Sequence, residues 1–504
     1  ATSNFTMGFI SLFIPEKSAH RIGHRDPFWN GRKKPFMIAA IASFMLLQIL
    51  FLLNMSYLFG SLFRSEHRVH NLNILTVDYD GGVIGKSLQG AITQLKADTF
   101  PTFDIESSSK YPEVEDIVQA VRRGDHWAAV FTHAGASERL AAALEGGDAA
   151  AAYDPTNTIT YVWNQVRYPA VEDATIKSSM SQLVAVARIA YNHMNGTGAL
   201  QTLNKNDPAA LQAFLNPIQG GDINIMPTTQ GTRVLYNTVA MVMPIIMQFF
   251  FLMAINGVSA EFNLYSHLPM LNNGIIRLVL SLSYTFVGSL CWAGYIWAFR
   301  EDWSVGAGQF FCTWVIIWLF MHINFAVVSK NNEINLYSSI LTYFQIDVAT
   351  GFIPMKFLPF FVLTWVILNV TSTIWPFELA PGFYRWGYAL PAHEVWQVLI
   401  QIWSGGAVDR LYQALPILFT WEIVFLPLAV IALNHRCAVA EREHKAKEEE
   451  RRQLIMAAEK GKADEMGEGR TSESVAESPV DEKVHSFEAD VARNPYSPAI
   501  PPPV

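Results

Sequence analysis

The chain of 504 residues is 51% hydrophobic and only 16% charged, which is too apolar for most soluble proteins of that length. Its formal charge of −8 sits mainly outside the apolar runs, and no basic patch interleaved with aromatics occurs, so a nucleic-acid partner is excluded. The three cysteines, Cys291, Cys312 and Cys437, lie in or just after apolar runs, which rules out a disulfide framework.

A polar segment, 1–35, precedes the first apolar run at 36–60. That run is too long for the core of a cleavable signal peptide and reads as a retained signal anchor. A helix needs about 20 apolar residues to cross the roughly 30 Å hydrocarbon layer. The same requirement is met at 234–257, 275–298, 310–328, 351–370 and 411–433. Arg21, Arg25, Arg32, Lys33 and Lys34 ahead of the first span put the N-terminus in the cytosol, and six spans return the C-terminus to that side. His20 and His24 are spaced i, i+4 without a third ligand, so no metal site is expected.

Between the first two spans lies a soluble insert, 61–232, which this orientation puts outside the cell or in a secretory lumen. Strands are predicted at 72–80, 102–106, 127–131 and 159–163, with helices at 85–95, 114–123, 136–144 and 171–194. Their alternation implies an α/β domain with a partly parallel or mixed sheet. Pro155, Pro169 and the Gly220-Gly221 pair punctuate it. The sequon Asn195-Gly196-Thr197 makes Asn195 the expected glycosylation site, whereas Asn369-Val370-Thr371 lies too near the membrane. Asp80-Gly81-Gly82-Val83-Ile84-Gly85-Lys86-Ser87 ends as a phosphate-binding loop does, but Asp80 stands where that motif has its leading glycine. A carboxylate there repels phosphate, so a plain glycine turn is expected.

The fold class is therefore membrane α-helical, with six transmembrane helices and a large α/β extracytoplasmic domain between helices 1 and 2. The membrane domain spans 233–434. Ionisable and amide groups at membrane depth are costly and mark candidate substrate paths. Here they are His322, Asn324, Asp347, Lys356 and Glu422, while Arg277 is expected to snorkel to the inner interface. Asn256, Glu261 and Asn263 at the inner end of the second span suit either a helix cap or a coupling site. The segment 374–403 is rich in aromatics and proline and reads as an interfacial loop, with Trp375, Pro381, Tyr384, Trp386, Pro391, His393 and Glu394 as its marked residues. A charged cytosolic helix at 435–462 and a disordered tail at 463–504 complete the chain.

One ordered set of features resembles a known family. A span is followed by a strand ending in Asp80 and glycines, then by Val114-Glu115-Asp116-Ile117-Val118-Gln119-Ala120-Val121-Arg122-Arg123-Gly124 leading into Trp127-Ala128-Ala129-Val130-Phe131. Five more spans follow, with an aromatic and proline loop before the last. Over 35–433 this is similar to ABC-2-type membrane proteins, most of all the fungal nitrosoguanidine-resistance proteins and, more distantly, the bacterial phage-infection protein. The resemblance implies a multi-pass protein of the plasma membrane or endomembrane, tied to drug efflux or lipid asymmetry, whose half-transporter architecture suits a homodimer or a separate partner protein. Expected partners are membrane lipids and amphipathic drug-like molecules. The resemblance supplies no catalytic residue, and no intact P-loop, cofactor motif or hydrolytic triad is present, so an enzyme is not expected. Two alternatives compete with transport: a membrane-anchored binding or scaffold protein acting through the outer domain, and an interfacial enzyme using Glu422, His322 or His393.

Overall fold

The computed structural model describes residues 25–228, 230–324, 357–405 and 410–467. One compact unit ends at Ser56 and a second begins at Tyr57. In the first, Asp26 Oδ1 accepts from Phe28 N at 2.8 Å and caps a short 3-10 turn. Helix α1, Lys33–Ser61, then begins. It is apolar on every side, and residues such as Phe44 and Leu52 are exposed along it. A helix of that kind is stable in lipid rather than in water.

The α/β domain has β1 (Asn73–Asp78), α2 (Val83–Leu95), β2 (Thr102–Glu106), α3 (Val114–Arg123), β3 (Ala128–Thr132), α4 (Ala136–Glu145) and β4 (Ile159–Trp163). The sequence predicts α3, β2 and β4 at these limits. A π-helical turn, Glu172–Lys177, then leads into α5 (Ser178–Thr202), followed by α6 (Pro208–Leu215) and β5 (Gly220–Asn224). The sheet order is β2-β1-β3-β4-β5, mixed as expected: β1 runs parallel to β2 and β3, β4 is antiparallel to β3, and β5 is parallel to β4.

Alternation along the strands divides the core in two. Ile74, Val130 and Tyr161 pack on one side with Leu88 of α2 and Leu183 of α5. Val77, Phe131 and Val162 pack on the other with Ile117 and Val121 of α3. Successive strand residues face opposite sides of a sheet, so this is the burial a two-faced α/β layer requires. Gly124, at φ +81°, ends α3 in the left-handed conformation that glycine adopts without strain.

Among the described residues, two helices beyond α1 are long and apolar enough to cross a membrane: α7 (Val239–Glu261) and α8 (Met270–Ala298). Three shorter apolar helices accompany them: α9 (Ala307–Ile323), α10 (Leu358–Thr373) and the segment Leu411–Phe425. The chain is a membrane protein, with three helices of full spanning length among the described residues where the sequence predicts six spans, two of which run partly outside those residues. Between α10 and the last of these lies α11 (Pro391–Trp403), and Leu411–Phe425 opens a single long helix, α12 (Leu411–Gly467). The charged segment is thus continuous with the last apolar helix and runs five residues past its expected end at 462.

Candidate functional site

Helices α9 and α12 bring together two groups that lie 100 positions apart. His322 Nδ1 sits 2.5 Å from Glu422 Oε1, with both side chains more than four-fifths buried. Glu422 Oε2 is buried and has no hydrogen-bond partner among the described residues. Two positions after His322, the fully buried Asn324 accepts from Trp365 Nε1 of α10 at 3.0 Å and donates to Phe320 O at 2.7 Å. Three of the five polar residues marked at membrane depth therefore gather where α9, α10 and α12 meet. Asp347 and Lys356 lie outside the described residues. An imidazole bonded to a carboxylate among apolar helices can hold or exchange a proton, which is the chemistry expected of a path for polar or charged groups.

Arg277 does not snorkel. It is 1% exposed, and its Nη1 donates to Asn256 Oδ1 and to Tyr265 Oη, each at 2.9 Å. Arg436 of α12 and Tyr265 Oη donate to the same Asn256 oxygen, again at 2.9 Å. The continuation of α12 past the apolar segment covers the end of α8, so the guanidinium finds acceptors inside the bundle. Asn256 is a hub rather than a helix cap, and Asn263 takes up the turn after α7 at φ +51°.

Sequence reasoning missed the rest of this face. Asn273, Arg277, Ser281, Thr285 and Ser289 recur every four residues along α8 and are all buried. Trp318 Nε1 donates to Thr285 Oγ1 at 3.2 Å, and Trp314 Nε1 to Ser289 Oγ at 3.1 Å. The i, i+4 spacing of small polar residues was the available signal, because such a row lets helices approach and bond across the contact.

At the ends of the helices nearest the α/β domain, the expected interfacial loop is a buried platform. Trp375 is half-buried and Pro381 precedes a 3-10 turn, Gly382–Ala389. Within that turn Tyr384 Oη donates to Tyr57 O at 2.9 Å, and Trp386 alone among the marked residues stays exposed, at 41%. Pro391 opens α11, whose first N–H groups include Ala392 N, donating to Asn369 Oδ1 at 3.2 Å. His393 Nδ1 donates to Ser372 O at 2.9 Å, and burial pushes its imidazole down to about 4. Glu394 is buried too; desolvation pushes it up to about 7 against the pull of Arg410. Two neighbours account for the burial. From within the bundle, Trp403 Nε1 donates to Thr313 Oγ1 at 3.0 Å and Gln309 Nε2 to Ile402 O at 3.0 Å. From the α/β domain, Arg122 Nη1 donates to Ser404 O at 2.9 Å and Tyr168 meets Trp396 edge-on at 6.0 Å. An aromatic, Pro-broken sequence looks the same whether lipid headgroups or a folded domain cover it.

In the α/β domain, the Asp80 carboxylate is consumed by its own turn. It accepts from Gly82 N at 3.0 Å, Ser137 N at 2.7 Å and Ser137 Oγ at 2.5 Å. The carboxylate thus occupies the amide cradle that a phosphate-binding loop leaves for its ligand. Asn195 lies within α5, half-buried, with its Nδ2 donating to Tyr191 Oη at 3.1 Å. Asn369 of the second sequon is buried.

The family model described as protein of unknown function DUF3533 matches residues 43–426, and the chain belongs to that family. It is 23% identical over 402 residues to the uncharacterized endoplasmic reticulum membrane protein YJR015W of Saccharomyces cerevisiae, covering 73% of this chain and 74% of that one. No solved structure matches.

Proposed function

We propose that this protein moves amphipathic compounds, drug-like molecules or lipids, across an endomembrane or the plasma membrane, or serves as the membrane subunit of a complex that does. The observation that carries this reading is the His322–Glu422 pair inside the helix bundle, with one carboxylate oxygen left without a partner among the described residues. Ionisable groups kept at membrane depth against their desolvation cost are found mainly on substrate and proton paths.

The endoplasmic reticulum membrane location of the yeast relative favours that compartment, and the basic residues flanking the spans favour cytosolic termini with a lumenal, Asn195-glycosylated outer domain. The resemblance to ABC-2-type proteins agrees with a half-transporter that works as a homodimer or with a separate ATP-hydrolysing partner. Contacts of Arg122 and Tyr168 with the α11 platform favour a domain coupled to the bundle over one merely tethered by it.

The test is a strain lacking the gene, assayed for sensitivity to amphipathic drugs and for uptake of a labelled phospholipid, beside purified protein in liposomes. Altered uptake or sensitivity, restored by the native chain and not by Glu422→Gln, supports transport. Unchanged phenotypes together with inert liposomes refute it. If the outer domain on an unrelated single helix restores the phenotype, the anchored-scaffold alternative is right.

A further inference from the structure

The charge of the His322–Glu422 pair depends on a single proton. Without it the pair carries the negative charge of the carboxylate. With it the pair is neutral, either as imidazolium beside carboxylate or as imidazole beside carboxylic acid. Among the described residues no other cation stands close enough to compensate the charge. Helix α10 has no ionisable side chain, and α9 has only the thiol of Cys312 besides His322. Along α12 the nearest ionisable groups are Arg410 and Tyr412 on one side and His435 on the other, all at least ten positions from Glu422 and so about 15 Å or more along the axis.

The helices packed around the pair hold their ionisable groups at other levels. Gln248 Nε2 donates to Met321 O at 2.9 Å, which sets Gln248 beside the turn of α9 that carries His322. Asn256, the acceptor for Arg277 and Arg436, lies eight positions farther along α7, about 12 Å away, and Glu261 lies beyond it. On α8, Tyr284 donates its hydroxyl to Met247 O, and Cys291 and Tyr295 follow toward the far end of that helix. On α11, His393 bonds to Ser372 O, seven positions past Trp365 along α10, and Glu394 beside it is drawn toward Arg410. A carboxylate left alone among apolar helices is costly, so the closed bundle is neutral at this level only with the proton in place. Glu422 Oε2 is buried without a hydrogen-bond partner among the described residues, and a proton is the one ligand that needs no cavity.

The helix that carries Glu422 is also weakest around it. Pro416 and Pro427 lie inside α12, six positions before Glu422 and five after, and each removes one backbone hydrogen bond. The carbonyls left without that bond are those of Tyr412 and Ile423, the second adjacent to Glu422. Bending there admits water to the carboxylate, which then loses its proton without the desolvation cost.

We propose that the pair is a proton-binding site and that a proton gradient drives the movement assigned to this protein. In each cycle one proton leaves the imidazole and carboxylate for water on one side of the membrane and is replaced from water on the other. The inference rests on the transport reading and adds an energy source that lies in the chain itself, in place of an ATP-hydrolysing partner.

The test uses the full chain in phosphatidylcholine liposomes, with fluorescent phosphatidylcholine and rhodamine 6G as probes, an imposed pH difference, and the membrane potential clamped at zero by potassium and valinomycin. One proton per cycle predicts that a pH difference of one shifts the distribution of a carried probe across the bilayer by up to about tenfold, equal to about 1.4 kcal/mol, and that a protonophore abolishes the shift. Glu422→Gln, which has no proton to exchange, should lose the response to the gradient; a full response in this variant overturns the proposal. The native chain with and without protonophore keeps the test decisive where the variant fails to fold. Probe movement that ignores the gradient overturns proton coupling and leaves transport standing. Failure of both probes to move under any gradient overturns the transport reading, and this inference falls with it.

Discussion

Asn164 donates from Nδ2 to Ser404 Oγ at 2.9 Å, joining residues 240 positions apart and both almost fully buried. One follows the last residue of β4 and the other the last residue of α11, so the bond ties the end of an inner strand of the sheet to the platform on the membrane helices. Removing the amide leaves a buried hydroxyl short of a donor, at a cost of about 1–2 kcal/mol. Asn164→Ala is expected to lower the melting temperature in detergent and to speed protease cleavage in the loops around Pro376 and Ser404. Arg122→Ala, which loses the bond to Ser404 O, should do the same. A tethered but undocked domain would show neither effect.

The His322–Glu422 pair separates stability from function. Deleting one member of a buried pair leaves the other uncompensated, at roughly 3–5 kcal/mol. His322→Ala and Glu422→Ala should each destabilise the folded chain by that order, measured by thermal or denaturant unfolding in detergent. The doubly substituted chain should recover much of the loss, because no lone charge remains, while staying unable to restore drug resistance or lipid uptake. Recovery of both properties in the double variant would make the pair structural only.

Asn256 offers a gain rather than a loss. Its oxygen receives Arg277, Arg436 and Tyr265, while its Nδ2 is buried without a hydrogen-bond partner among the described residues. Asn256→Asp keeps the shape, removes the unmatched donor and sets a carboxylate before two guanidinium groups. The two guanidinium bonds already carry one charge, and the aspartate adds the opposite one, turning both into ion-paired hydrogen bonds, which are shorter and stronger. The aspartate variant is expected to melt several degrees higher than the native chain, and Asn256→Leu lower, by differential scanning fluorimetry.

The parts of this fold legible in the sequence are those set by local pattern. Val114–Arg123 is legible to the residue because its apolar positions recur at helical spacing and Gly124 closes it. Strand β5 reads in the sequence as a turn because Gly220 and Gly221 carry no strand preference. The structure gives the reason for glycine: a Cβ on Gly220 would lie 3.2 Å from Val184 of α5 and 3.3 Å from Tyr161 of β4. A larger residue there would require the Val184 and Tyr161 side chains to give by a few tenths of an ångström. The meeting of His322 with Glu422, the burial of Arg277 and the covering of α11 are tertiary events between distant segments. Polarity marks the residues, while nothing in their neighbourhoods names their partners.

Glu172 makes the stability of the α/β domain depend on pH. It begins the π-helical turn before α5, is 0% exposed, and neither carboxylate oxygen has a hydrogen-bond partner among the described residues. Desolvation raises its carboxyl well above the ordinary value of 4.5; the attraction of Arg167 opposes this without cancelling it, and Asp173 adds to the rise. An acid with a raised folded-state value holds its proton more tightly folded than unfolded, so the unfolded chain releases it first as pH rises. The contribution is fully present below 4.5 and is lost progressively from there up through the folded value, at about 1.4 kcal/mol for each pH step of one across that window. Glutamine keeps the size and never ionises. Glu172→Gln should therefore melt close to the native chain at pH 4 and clearly above it at pH 7.5, with the gap opening between the two. Measured by intrinsic fluorescence on the full chain in detergent, a gap of the same size at both pH values would mean that the carboxyl is not held neutral by burial.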